Sequence, residues 1–275
     1  MMPNPDFAVD GDSVIVTGGA SGIGLAFAEA MAEGGADVTI MDIDPAGTKA
    51  EVERLCSLGQ KVSGRVLDVI DRADLDRAFD EVAARTGRLD IVFANAGIDP
   101  GPGFAAVDKQ GNHSDLNRIE HYEDAHWHKV IAISLDATFY SLRAAARHMR
   151  PNKSGSIIVT TSISAVRPAA RLASAYAAAK AGAAQLVRGV ALELAGDNIR
   201  VNAIAPGSFL TNIGNGVLKD KDAQEKMKNE VPLGRIARAD DIKGLALFLA
   251  SGASSFITGQ QIVIDGGRSL SSARN

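Results

Sequence analysis

Cysteine is almost absent from this chain: Cys56 stands alone among 275 residues. No internal disulfide can form, and nothing in the sequence points to an oxidising compartment. Excess positive charge is lacking too, because 29 basic side chains meet 33 acidic ones and leave a formal charge of −4. A nucleic-acid binder needs clustered Lys and Arg against phosphate, so that class is set aside. The segment 1–12 has acidic residues but no basic stretch leading into an apolar run, and it does not read as a secretory signal. The uncharged stretch 201–218 is broken by Asn202, Pro206, Asn212 and Asn215 and does not read as a membrane span. A soluble, cytoplasmic protein is expected.

No Pro/Ser-rich linker or charge block divides the chain, so residues 1–275 read as one domain with a core over 10–267. Hydrophobic residues make up 46% and charged ones 23%, enough apolar material for a substantial core. Short apolar runs over 13–17, 37–42, 61–66, 89–94, 156–160, 200–204 and 260–264 read as strands. Segments of helical period lie between them, at 22–34, 45–58, 71–86, 123–149, 174–196 and 239–250. This alternation predicts an α/β fold, a doubly wound Rossmann-type domain with a seven-stranded parallel sheet and right-handed crossovers. Two stretches, 98–119 and 208–231, break the alternation after strands, and such long loops are usually functional. Both follow strands at the edge expected to be the carboxyl edge of the sheet.

The first strand runs into Gly18-Gly19-Ala20-Ser21-Gly22-Ile23-Gly24, which opens the first helix. Glycines there permit a sharp turn and close approach of backbone to a pyrophosphate resting on the helix N-terminus. Asp42 ends the second strand, placed to accept hydrogen bonds from the adenosine ribose and to repel a 2′-phosphate. Its neighbours Met41, Ile43 and Asp44 offer no cation for that phosphate. NAD is the expected cofactor.

Tyr176 and Lys180 stand four apart in an Ala-rich helical segment, on one face and about a turn from each other. A cation near a phenol lowers its pKa and suits it to proton exchange. Ser162 ends the preceding strand, where a hydroxyl can cap a helix or bind a substrate oxygen. Taken singly, each of these residues has an ordinary structural explanation. Together and in order, the glycine turn, Asn95-Ala96-Gly97, Ser162, Tyr176 with Lys180, and Pro206-Gly207 resemble the short-chain dehydrogenase/reductase family over about residues 10–267.

The resemblance implies an NAD-dependent alcohol dehydrogenase or ketone reductase with Tyr176 as general acid/base. Lys180 would bind the nicotinamide ribose and tune Tyr176, and Ser162 would steady the substrate oxygen. Asp68 and Val69 would contact adenine, Asn95-Ala96-Gly97 would support the sheet beside the cofactor, and Pro206-Gly207 with Thr211 would line the nicotinamide side. No metal is required. The family also implies a homotetramer built on the helices near 123–149 and 174–196.

Two departures stand out. Many members carry an Asn in the helix before the catalytic strand, where this chain has Ser134; a mid-helix Ser can bond back to the carbonyl of Val130. The path from Gly97 to Trp127 is also long for the family, and the resemblance implies that 98–119, with 208–231, walls the substrate pocket. Phe104, Val166, Leu172, Phe209 and Leu210 suggest a moderately hydrophobic secondary alcohol. Dihydrodiol or sugar-alcohol oxidation on the same scaffold, and a dinucleotide sensor without catalysis, are the alternatives. The five histidines fall between His113 and His148, but their spacings are not those of metal ligands on a helix. The mixed-sign run 219–228 reads as a solvated helix.

Overall fold

The computed structural model describes residues 5–98, 118–167, 174–210 and 221–271. Seven parallel strands form one sheet in the order β3-β2-β1-β4-β5-β6-β7. They are β1 (Ser13–Thr17), β2 (Asp37–Asp42), β3 (Val62–Val66), β4 (Ile91–Ala94), β5 (Gly155–Thr160), β6 (Ile199–Pro206) and β7 (Gln261–Ile264). The helices between them are α1 (Gly22–Glu33), α2 (Pro45–Ser57), α3 (Arg72–Thr86), α4 (Asp124–Ile131), α5 (Ala137–Met149), α6 (Ser174–Leu194), α7 (Lys221–Asn229) and α8 (Lys243–Ala250).

Burial on both faces explains why the strands read as apolar runs rather than alternating ones. The alternation survives in where the side chains go. Val14 and Val16 of β1 face the layer built on Phe27, Met31 and Leu249, whereas Ile15 faces the layer built on Phe79, Leu142 and Val187. Strand β4 divides in the same way, with Phe93 on the first side and Val92 on the second. Phe27 of α1 stacks on Phe93 with ring centroids 4.6 Å apart, which fixes α1 over the β1–β4 boundary.

That boundary matters for function. From β1 the chain winds outward through β2 to β3, then returns to place β4 on the other side of β1. Loops leaving the carboxyl ends of β1 and β4 therefore diverge, and a crevice opens between them, the usual ligand position in such sheets.

The expected helix over 123–149 is in fact two α-helical pieces joined by a π-helical turn, Ala132–Asp136. The helix expected from 239 begins with a 3-10 turn, Ala239–Ile242. Of the mixed-sign run, the described residues from 221 on lie in α7. Of the two irregular stretches, 99–117 and 211–220 lie outside the described residues, and so do Phe104, Leu172 and Thr211. Among the described residues, no helix is long and apolar enough to cross a membrane.

Candidate active site

The turn after β1 is shaped by glycine. Gly18 has φ +65° and Gly22 φ +57°, in the left-handed region where a side chain is strained. At Gly24 the requirement is space: a Cβ would sit 2.0 Å from the Gly18 carbonyl oxygen and 2.5 Å from Asn95 Nδ2. The first turn of α1 thus packs directly on the loop that leads into it. Ser21 is the N-cap residue, but its hydroxyl makes no capping bond. The first N–H groups of α1, Ile23 among them, lack a side-chain partner there and suit an anion at the positive end of the helix.

Asp42 closes this turn from β2. Its carboxylate accepts the Ala20 N–H at 3.0 Å and the Asp44 N–H at 3.0 Å, and Gly18 N–H reaches the Met41 carbonyl at 2.7 Å. The acidic group is therefore fixed beside the glycine turn while remaining partly exposed. Past β3, Asp68 accepts the Ile70 N–H at 3.1 Å, and Val69 is buried.

Asn95 ties three strand ends together. Its side-chain amide donates to the carbonyl oxygens of Thr17 and Gly18 at 3.1 and 3.2 Å and accepts the Thr160 hydroxyl at 2.9 Å. The backbone N–H groups of Asn95 and Ala96 both donate to the Thr17 hydroxyl. Gly97 follows, and a Cβ there would lie 3.4 Å from Lys180 Nζ.

Lys180 on α6 is buried, and its Nζ donates to the Thr160 carbonyl at 2.8 Å. Burial disfavours the ammonium and holds its pKa down at about 8. The same nitrogen lies 5.7 Å from the Tyr176 ring centroid, so the four-residue spacing does bring the pair onto one face. Ser162 caps the short turn Ile163–Ala165: its Oγ accepts the Ser164 N–H at 3.1 Å and meets the Ser164 hydroxyl at 3.1 Å. This contact fixes its side chain just beyond β5.

Ser134 lies inside the π turn and is fully buried. The back-bond to Val130 is not formed; Ser134 Oγ has no hydrogen-bond partner among the described residues. Its carbonyl instead accepts the Thr138 hydroxyl at 3.1 Å. Pro206 ends β6, and Gly207 N–H donates to the Ile264 carbonyl at 2.9 Å. A Cβ on Gly207 would come within 2.5 Å of Asp265 Cβ, so the loops after β6 and β7 touch. Phe209 packs into the core, while Val166 and Leu210 are exposed. His148 pairs with Asp80 at 2.9 Å on the far side of the fold, and His126 lies against Tyr122. Among the described residues, no His/Cys/Asp/Glu group could hold a metal ion.

Two residues that organise this site had no role in the sequence reading, Thr17 at the head of the glycine motif and Thr160. The hydroxyl of Thr17 and both oxygens of Thr160 anchor Asn95 and Lys180. Their signal was a polar side chain at the carboxyl end of an otherwise apolar strand.

Comparison with known proteins adds an independent line. The family model adh_short_C2, described as enoyl-(acyl carrier protein) reductase, matches residues 18–269. The chain is 36% identical over 266 residues to the 3-oxoacyl-(acyl-carrier-protein) reductase FabG of Chlamydia pneumoniae, covering 95% of this chain and 98% of that protein. It is 37% identical over 253 residues to the cis-4-hydroxycyclohexanecarboxylate dehydrogenase of Sinomonas cyclohexanicum, covering 92% and 94%. Its fold matches the crystal structure of a gluconate 5-dehydrogenase from Burkholderia cenocepacia in complex with NADP and tartrate. That match has a TM-score of 0.86 at 31% identity, over 98% of this chain and 99% of that one.

Proposed function

The chain belongs to the short-chain dehydrogenase/reductase family, and from that premise we propose that it interconverts a secondary alcohol and a ketone with NAD as hydride carrier. The observation that carries this reading is the buried Lys180 ammonium 5.7 Å from the Tyr176 ring, beside the switch point of the sheet. A cation there favours the phenolate of Tyr176, which then takes the proton from the substrate hydroxyl. In the reducing direction the phenol returns that proton to the carbonyl oxygen. Ser162 holds the same oxygen by a hydrogen bond. When bound, the nicotinamide supplies or accepts the hydride.

The residues present fit such a cofactor. Gly24, with no room for a side chain, lets α1 pack directly on the glycine turn, and the uncapped N-terminus of α1 suits the pyrophosphate. Asp68 and Val69 would flank the adenine, and Gly97, Lys180, Pro206 and Gly207 the nicotinamide ribose and ring, with Thr211 on its carboxamide. The Asp42 carboxylate, with no Lys or Arg among residues 18–24 or 41–44, supports NAD over NADP. The gluconate 5-dehydrogenase named above binds NADP, so cofactor choice is a property to be measured on this chain. Segments 98–119 and 208–231 would wall the substrate pocket. Membership of the family supports association into a homotetramer through the two-part helix before β5 and through α6.

The relatives named above are a 3-oxoacyl reductase, a hydroxycyclohexanecarboxylate dehydrogenase and a gluconate 5-dehydrogenase, all consistent with secondary alcohol and ketone chemistry. The test is NADH formation or loss at its absorbance, across aryl, alkyl and polyol secondary alcohols and their ketones, with Tyr176→Phe as control. Turnover that depends on Tyr176 supports the enzyme; tight NADH binding with no turnover across the panel supports a sensor instead.

A further inference from the structure

The turn after β5 carries a cation that the chemistry above does not use. Arg167 stands five residues past Ser162, with its N–H on the Ile163 carbonyl at 2.8 Å and its side chain half-buried. One guanidinium nitrogen donates to the main-chain carbonyl of Arg268 at 2.7 Å. Arg268 lies just past β7, and the strands run in the order β5-β6-β7. The contact therefore bridges the loops after β5 and β7, about 10 Å apart at two strand spacings, over the carboxyl end of β6. Pro206-Gly207 stands at that end.

The two arginines differ in what satisfies their charge. The Arg268 guanidinium donates to the Ser208 hydroxyl and to the Glu230 carboxylate. Among the described residues Arg167 has no acidic partner, and its guanidinium makes one hydrogen bond there, which leaves four of its five N–H donors without a described partner. From Ser162 to Tyr176 the sequence holds Arg167 and Arg171 and no Asp or Glu. A half-buried guanidinium without a counter-ion gains from an anion, and its planar fork matches a carboxylate with two parallel hydrogen bonds. A phosphate monoester, carrying up to about two charges, calls for more than one cation. The described residues here offer one that is unpaired.

We propose that Arg167 binds a carboxylate on the substrate, so that the alcohol oxidised is a hydroxy acid and the product an oxo acid. This rests on the reading of Ser162 and Tyr176 as the place of reaction. The carboxylate takes no part in the hydride and proton transfers; it fixes which end of the substrate lies toward β7.

The experiment compares 4- and 5-oxohexanoate with their methyl esters, which keep the ketone and remove the charge. NADH oxidation and calorimetric binding to the NADH-loaded protein are both read. Wild type is expected to prefer at least one acid over its ester by about 10- to 100-fold in kcat/KM, the scale of a charge-assisted contact. Arg167→Met should erase that preference through KM and leave turnover of the ester unchanged. Arg167→Lys should retain part of it. Equal use of acid and ester by wild type, or a preference that survives Arg167→Met, overturns the proposal while leaving the dehydrogenase reading intact. If no ketone is reduced either in this set or in the secondary-alcohol panel above, the dehydrogenase reading fails; Arg167-dependent binding of the acid then still supports the carboxylate site, and absence of such binding overturns it.

Discussion

Lys180 Nζ donates to the carbonyl oxygen of Thr160 at 2.8 Å while lying 5.7 Å from the ring centroid of Tyr176. The ammonium on α6 is thereby tied to the last residue of β5, and Asn95 is tied to the same residue through its hydroxyl. One strand end thus positions both the Asn95 amide and the Lys180 ammonium at the carboxyl edge of the sheet. No carboxylate pairs with Lys180 among the described residues, and burial holds its pKa down.

The sign of the resulting pH dependence follows from linkage. Lys180 has a pKa of about 8 in the folded chain, against about 10.4 when unfolded. Below pH 8 both states carry the proton and its burial costs stability in full. Between about pH 8 and 10.4 the unfolded state binds more protons, so this group's contribution to stability rises with pH. Urea unfolding of wild type and Lys180→Met at pH 7 and pH 9.5 checks this. Stability relative to the variant should be greater at pH 9.5, and a difference independent of pH would contradict it.

Asp42 holds two backbone N–H groups and stands where the adenosine ribose is proposed to bind. Asp42→Ala should narrow the preference for NAD over NADP, mainly by raising KM for NAD. Steady-state kinetics with both cofactors measures this. Equal use of the two by wild type would remove the assignment.

Gly24 has no room for a methyl group, with the Gly18 carbonyl 2.0 Å from where it would sit. Gly24→Ala should push α1 away from the turn, at a cost of about 1–3 kcal/mol typical of overpacking. Cofactor affinity should fall as well, because the turn and the helix N-terminus move together. Denaturant unfolding and NADH fluorescence titration read the two effects, and unchanged values in both would refute the packing argument.

Ser134 presents the opposite case, a buried hydroxyl without a partner among the described residues. Removing an unsatisfied buried polar group is close to neutral or stabilising. Ser134→Ala should keep Tm within a few degrees of wild type or raise it, and keep kcat within about tenfold, or 1.4 kcal/mol. A loss of activity as complete as that of Tyr176→Phe would make the hydroxyl itself part of the chemistry.

The legible parts of the fold share a physical cause. Strands such as Ser13–Thr17 and Asp37–Asp42 lie where the apolar runs place them, because burial on both faces leaves few positions for polar residues. Gly18 and Gly22 were legible because their turn needs left-handed backbone. The π turn at Ala132–Asp136 was not, since one extra residue in a turn leaves the apolar spacing of a long helix nearly unchanged. Nor were the contacts of Thr160 with Lys180 and of Arg167 with Arg268. The first joins the end of β5 to the helix that packs back on it and the second joins two loops brought together by sheet order, and local pattern encodes neither.

Tyr176→Phe provides the most direct measurement, because it keeps the ring and removes only the hydroxyl proposed to move the proton. NADH binding is followed by fluorescence, and turnover of a secondary alcohol found by screening is followed at the NADH absorbance. NADH affinity should stay within about twofold of wild type while kcat falls by about 10²–10⁴-fold, the scale of acid/base catalysis. A variant that keeps more than about a tenth of wild-type kcat would contradict the assignment of Tyr176 as the acid/base, and with it the mechanism.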